Sequence, residues 1–224
     1  MAIQVETKDT TALSDAELAE MADVSADGEA GFDVGFLSKE RESWVLVTEA
    51  HDGKRLVGFS LCTLERIGGT PCLLVGVASV DRVAKREAVL KAVMGDQYRR
   101  AFLAFPDEDV LVGARLRHPG AFAAFRGLQD VVPRPGHRAS GEERAWGRRL
   151  AKRFGAEGRL DDRSFELRGE GALQGVLDYT PARPEDVAPE LGELFAGLDL
   201  ERGDCLVAFG WAMAEDLAEG KLGR

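Results

Sequence analysis

Three apolar runs in "SWVLVTEAHDGKRLVGFSLCTLERIGGTPCLLVGVASV" constrain this chain more than any other feature. Asp52-Gly53 and Gly68-Gly69 separate them, and both dipeptides favour the tight turns that join hairpin strands. An antiparallel three-strand meander is therefore expected. Its last run, "PCLLVGVASV", gives way at "SVDRVAKREAVLKAV" to a helical periodicity with a basic joint. A strand that feeds a helix N-terminus is a common place to hold phosphate, because free backbone amides point outward there.

The segments around the meander read mostly as helices. Ser14 and Glu17 form an S-x-x-E capping box, with Leu13 and Leu18 at the two staple positions. The loop "DGEAGFDVGF" follows; Phe32 and Phe36 are expected to pack on the core, with a ligand-lining role as the alternative. Val83, Leu90, Val93 and Met94 place a helix beginning near Arg82. "DVLVGARL", residues 109–116, reads as a strand, and His118-Pro119 opens a helix with Phe122 and Phe125 directed inward. Ser140 and Glu143 make a second capping box, then Trp146, Leu150 and Phe154 mark one face and Gly155 the end. Strands are expected over 163–169 and 172–180, before a break at Pro181 and Pro184. Val187, Leu191 and Leu194 suggest a helix; Leu206, Phe209, Met213 and Leu217 suggest a last one ending at Gly220. This divides the chain into a mixed α/β domain over 1–180 and a C-terminal helical extension over 181–224.

Composition narrows the function. Hydrophobic residues are 45% and charged residues 30%, which is globular, and no apolar run is long enough to cross a bilayer. The N-terminus lacks a basic segment followed by an apolar core, so a cytoplasmic protein is expected. Cys62, Cys72 and Cys205, with His51, His118 and His137, have no metal-ligand spacing. Three reduced, non-catalytic thiols and no metal are expected. The net charge of −10 argues against general nucleic-acid binding. Residues 81–155 nevertheless hold 16 basic against 9 acidic residues. That excess reads either as solvated helix faces or as a groove for a small polyanion. Nucleophile elbows, Walker loops, H-E-x-x-H and dinucleotide fingerprints are absent, and Asp161-Asp162 reads as a turn.

The order strand, helix, three-strand meander, helix, strand, helix resembles the GNAT superfamily of acyl-CoA N-acyltransferases, over residues 1–136 and as far as 180. The resemblance implies a mainly antiparallel mixed sheet flanked by helices. It also implies acetyl-CoA or another acyl-CoA as cofactor. Val77, Ser79 and Val80 would hold the pantetheine arm, with Arg82, Lys85 and Arg86 on the phosphates.

The chain departs from the family pattern at several points. In the pyrophosphate loop, Q/R-x-x-G-x-G/A, "DRVAKREAV" puts Lys85 and Glu87 at the glycine positions. In "HPGAFAAF", Phe125 stands at the place of the tyrosine acid and has no hydroxyl to donate. No carboxylate lies on the fourth strand; Glu49, Glu65 and His118 are the remaining candidates for a base. Two readings follow. One is an N-acyltransferase acting on a small amine or a protein amino group, as a monomer or a homo-oligomer. The other is a non-catalytic GNAT-like module that binds a ligand or a protein. An open or a plugged cleft between the fourth and fifth strands separates them.

Overall fold

A computed structural model describes residues 2–83 and 85–223. Ala84, inside the expected phosphate loop, lies outside the described residues. The chain begins with β1 (Gln4–Asp9), α1 (Asp15–Ser25) and α2 (Val34–Glu40). Ser14 caps α1 from both directions: its hydroxyl accepts from Glu17 N, and Glu17 accepts from Ser14 N. Phe32 is buried and stacks on Phe36 at 5.1 Å, which is the core role expected of this pair.

The meander is present as read: β2 (Leu46–Asp52), β3 (Arg55–Ile67) and β4 (Thr70–Val80), all antiparallel. Gly53, Gly68 and Gly69 take positive φ at the two turns, where a side chain would be strained. Every β4 residue after Thr70 is buried, because α1 packs on β3 and β4 while α3 (Arg86–Ala104) covers β1 to β4. Val89, Leu90, Val93, Met94 and Tyr98 form the buried face of α3.

The remaining strands are β5 (Val110–Leu116), β6 (Gln129–Val132), β7 (Glu166–Leu167), β8 (Leu177–Asp178) and β9 (Cys205–Ala212). The remaining helices are α4 (Gly141–Arg153), with its Ser140–Glu143 capping box, α5 (Pro189–Gly192) and α6 (Ala214–Ala218). One sheet orders the strands β1-β2-β3-β4-β8-β5-β9-β6, with β7 also on β9. The result is a mixed, mainly antiparallel sheet flanked by helices, as the sequence implied.

Four expectations need correction. Leu206 and Phe209 do not lie on a helix: "CLVAFGWA" is β9, antiparallel to β5 and buried on both sides. A short, continuous apolar run fits a central strand as well as a buried helix, and here the open edge of β5 decides. Helix begins only at Ala214, and Leu217 is its buried residue. The segment after His118 is a 3-10 helix, Pro119–Phe125, rather than an α-helix. Around Val187, Leu191 and Leu194 the chain makes short turns, Pro184–Asp186, α5 and Glu193–Phe195, none with a buried residue. The strands expected over 163–169 and 172–180 shrink to the two-residue β7 and β8.

Candidate functional site

The site expected from the sequence is the gap where β4 and β5 part. They pair in parallel from Cys72–Leu111 to Val75–Ala114 and no further. The cause of the parting is a bulge. The β3–β4 register runs Leu61–Val77 and then Cys62–Val75, which leaves Gly76 unpaired and bends β4 away. Glycine is required there, since a Cβ would lie 1.8 Å from Cε2 of the Trp44 ring.

The gap is filled by the chain itself. β8 runs parallel between the two strands, pairing Ala78 with Leu177, Ser79 with Asp178 and Leu116 with Leu177. Ala78 N–H donates to the Val176 carbonyl at 3.0 Å. Val176, Leu177 and Tyr179 are buried, so this segment belongs to the core. It enters beside the bulge at Gly175, where a Cβ would sit 2.7 Å from the Gly76 carbonyl oxygen and 2.9 Å from Val77 Cγ2.

A charged clasp holds β8 in place. Asp178, its side chain only 3% exposed, accepts from Arg82 Nη2 at 3.0 Å. The backbone amides of Glu29 and Ala30 approach the same carboxylate at 3.4 Å each. Gly28 makes room for it, because a Cβ there would be 2.0 Å from Asp178 Oδ2. Arg86 donates to the carbonyls of Thr180 and Pro181, at 3.3 and 3.5 Å, as well as to those of Arg82 and Val83. Lys85 pairs with Asp52 at 3.0 Å.

The structure thus brings Val77, Ser79, Val80, Arg82, Lys85 and Arg86 to one end of the cleft, and their groups are engaged within the protein. Val77 pairs with Leu61, Ser79 with Phe59 and Asp178, and Val80 with Gly58. The Ser79 hydroxyl and Arg82 Nη1 are buried without a hydrogen-bond partner among the described residues. An acyl-CoA does not fit this arrangement. Its pantetheine arm would compete with β8 for the β4 edge, and its phosphates would compete with Asp178 and several backbone carbonyls for the arginines.

The candidate bases and acids lie elsewhere. Glu49 is buried on β2 and paired with Lys8 at 3.1 Å. Glu65 is held by Arg153 at 2.7 Å, opposite Cys72 at the far end of β4. His118 accepts from Gly120 N at 2.9 Å and caps the 3-10 helix. Phe125 is buried. Burial pushes the thiols of Cys62, Cys72 and Cys205 up to about 12, 11 and 11, so they remain protonated and poorly nucleophilic. Among the described residues, no group of His, Cys, Asp and Glu is placed to hold a metal ion.

The sequence reading missed Gly175, Asp178 and Tyr179. "GVLDYT" gives a strand signal, but nothing local in it names β4 and β5 as its partners.

The fold is a mixed, mainly antiparallel sheet in which β4 and β5 run parallel and then part. No family model matches the chain, and no curated protein matches it. Solved structures similar to it include an aminoglycoside 6'-acetyltransferase of type Ii, at 13% identity and a TM-score of 0.44, covering 58% of this chain and 86% of that one. Another is the NatC complex bound to Gag peptide and CoA, at 14% and 0.43, covering 62% and 88%. ElaA of Escherichia coli is similar at 14% and 0.38, covering 60% and 94%. A likeness at this level assigns no activity. No helix among the described residues is long and apolar enough to cross a membrane.

Proposed function

We propose that this chain is a GNAT-like binding module whose acyl-CoA cleft is closed by its own β8. The observation that carries this reading is the strand inserted between β4 and β5, with Ala78 N–H bonded to the Val176 carbonyl. Those β4 groups are the ones a pantetheine arm would need. Displacing β8 would expose the buried Val176, Leu177 and Tyr179, at roughly 1.5–3 kcal/mol per large apolar side chain. It would also strip Arg82 from a carboxylate that is almost fully buried. Glu87 adds a negative charge in the first turn of α3, where a phosphate is otherwise favoured.

An N-acyltransferase using acetyl-CoA or another acyl-CoA on a small amine or a protein amino group is the second reading. The Gly76 bulge and the cations at the start of α3 favour it. It requires β8 to leave the cleft.

Titration calorimetry decides between the two. We expect no measurable heat from coenzyme A or acetyl-CoA up to millimolar concentration. Micromolar binding to the wild-type chain, with transfer of the acetyl group to an amine, would overturn the binding-module reading.

A further inference from the structure

Beside β8 a second space is open. A cavity of about 790 Å³ lies between the 3-10 helix Pro119–Phe125 and the turns of residues 181–191. Its size falls within the roughly 300–1,000 Å³ of small-molecule sites. Phe122, Phe125, Val131 and Leu191 give it an apolar lining. Tyr179 also lines it, and the Tyr179 hydroxyl has no hydrogen-bond partner among the described residues. That oxygen is not among the polar atoms sealed from solvent, so the cavity side can supply its partner.

The charges on the lining select the kind of ligand. Arg126 pairs with Glu87 at 3.0 Å and Arg183 with Asp186 at 2.9 Å. Arg134 is the third arginine of the lining; its Nη1 donates to the Val131 carbonyl at 2.9 Å and lies 3.6 Å from Glu143, a carboxylate off the cavity. Glu143 is already engaged by Ser140 N at 2.6 Å and by His137 at 2.9 Å. Among the groups that line the cavity, three arginines stand against two carboxylates, a local excess that Glu143 offsets only from outside and that suits a monoanion better than a polyphosphate. The 181–191 wall buries no residue in its turns, so it can shift to admit a ligand with little loss of core packing.

We infer that this cavity binds a small amphipathic monocarboxylate, its apolar body on Phe122, Phe125 and Leu191 and its carboxylate at the Arg134 rim. The inference rests on the binding-module reading and names the ligand class for it. Octanoate is the probe, with neutral 1-octanol and coenzyme A titrated in parallel into the full chain. The expected result is one octanoate per chain. Arg134→Gln weakens octanoate about tenfold and leaves octanol unchanged, since it removes only a charge-assisted contact. Ala123→Trp, which fills the cavity, abolishes both, and thermal melting confirms that each variant is folded. Octanoate binding that is absent, multiple, or indifferent to both substitutions overturns the cavity assignment, even with coenzyme A silent. One octanoate site alongside tight coenzyme A binding upholds the cavity and overturns the closed cleft instead.

Discussion

β9 and β8 both arrive late in the chain and both run beside β5, yet different forces hold them. β9 makes a seven-pair antiparallel ladder from Val110–Ala212 to Leu116–Leu206 and buries nearly every side chain on it. β8 pairs through only two residues and relies on two close-packed glycines, Gly28 and Gly175, and on the Arg82–Asp178 ion pair. The first is a structural member of the sheet. The second is a short insert clasped into a cleft that the Gly76 bulge would otherwise leave open. The difference teaches that completing the sheet and filling the gap between β4 and β5 rest on different interactions in this chain.

The comparison breaks first if β9 proves dispensable. Phe209 is buried, with its ring 6.1 Å from that of Phe165. Phe209→Ala should therefore lose about 3–5 kcal/mol through lost transfer energy and an unfilled cavity. Denaturant unfolding should show one earlier transition, with every region of the chain lost together. A loss below about 1 kcal/mol would mean that β9 is no more integral than β8.

The same contrast explains what could be read from the sequence. The meander was legible because its turn glycines sit between apolar runs of strand length, and hairpin pairing is local. The two capping boxes were legible because a cap is a four-residue pattern. β9 was misread because Leu206, Phe209, Met213 and Leu217 keep helical spacing by coincidence, while the choice between strand and helix lay with the distant edge of β5. The plug was beyond reach for a related reason. Asp178 and Arg82 are 96 residues apart, and Gly28 matters only once the Asp178 carboxylate is against it. The basic cluster at the start of α3 was visible, but not its partners within the chain: Arg82 pairs with Asp178, and Arg86 donates to the carbonyls of Thr180 and Pro181.

The clasp gives the next test. Asp178→Ala leaves Arg82 largely buried without its carboxylate, and breaking such a pair costs about 3–5 kcal/mol when both partners are deeply buried. Arg82 is 17% exposed, so water softens the loss and about 2–3 kcal/mol is expected. Hydrogen exchange should show where the loss falls. The Ala78 amide, bonded to Val176, should exchange much faster, while β9 amides bonded to β5 should follow only the drop in global stability. Equal acceleration in both strands would show that β8 opens only with the whole sheet, and the proposed separation would fail.

The smallest effect is expected where the two regions meet. Arg115 on β5 pairs in register with Val207 of β9, and its guanidinium reaches toward the residues that lead into β8. It is 4% exposed, and burial holds its pKa below the usual arginine value. No carboxylate pairs with it among the described residues. Nη1 reaches Gln174 at 3.4 Å, Nη2 reaches the Gly76 carbonyl at 3.5 Å, Nε has no hydrogen-bond partner among the described residues, and the guanidinium lies 4.8 Å from the centre of the Phe154 ring. These long hydrogen bonds are weak, while a buried cation without a counter-charge is unfavourable. Arg115→Met keeps most of the side-chain volume and removes the charge. Two opposed terms of similar size should leave stability within about 1 kcal/mol of the wild type, in either direction. Loss of more than about 2 kcal/mol, with faster exchange confined to Gln174–Asp178, would make Arg115 part of the clasp. The short insert would then be held from the β5 side as well as from α3.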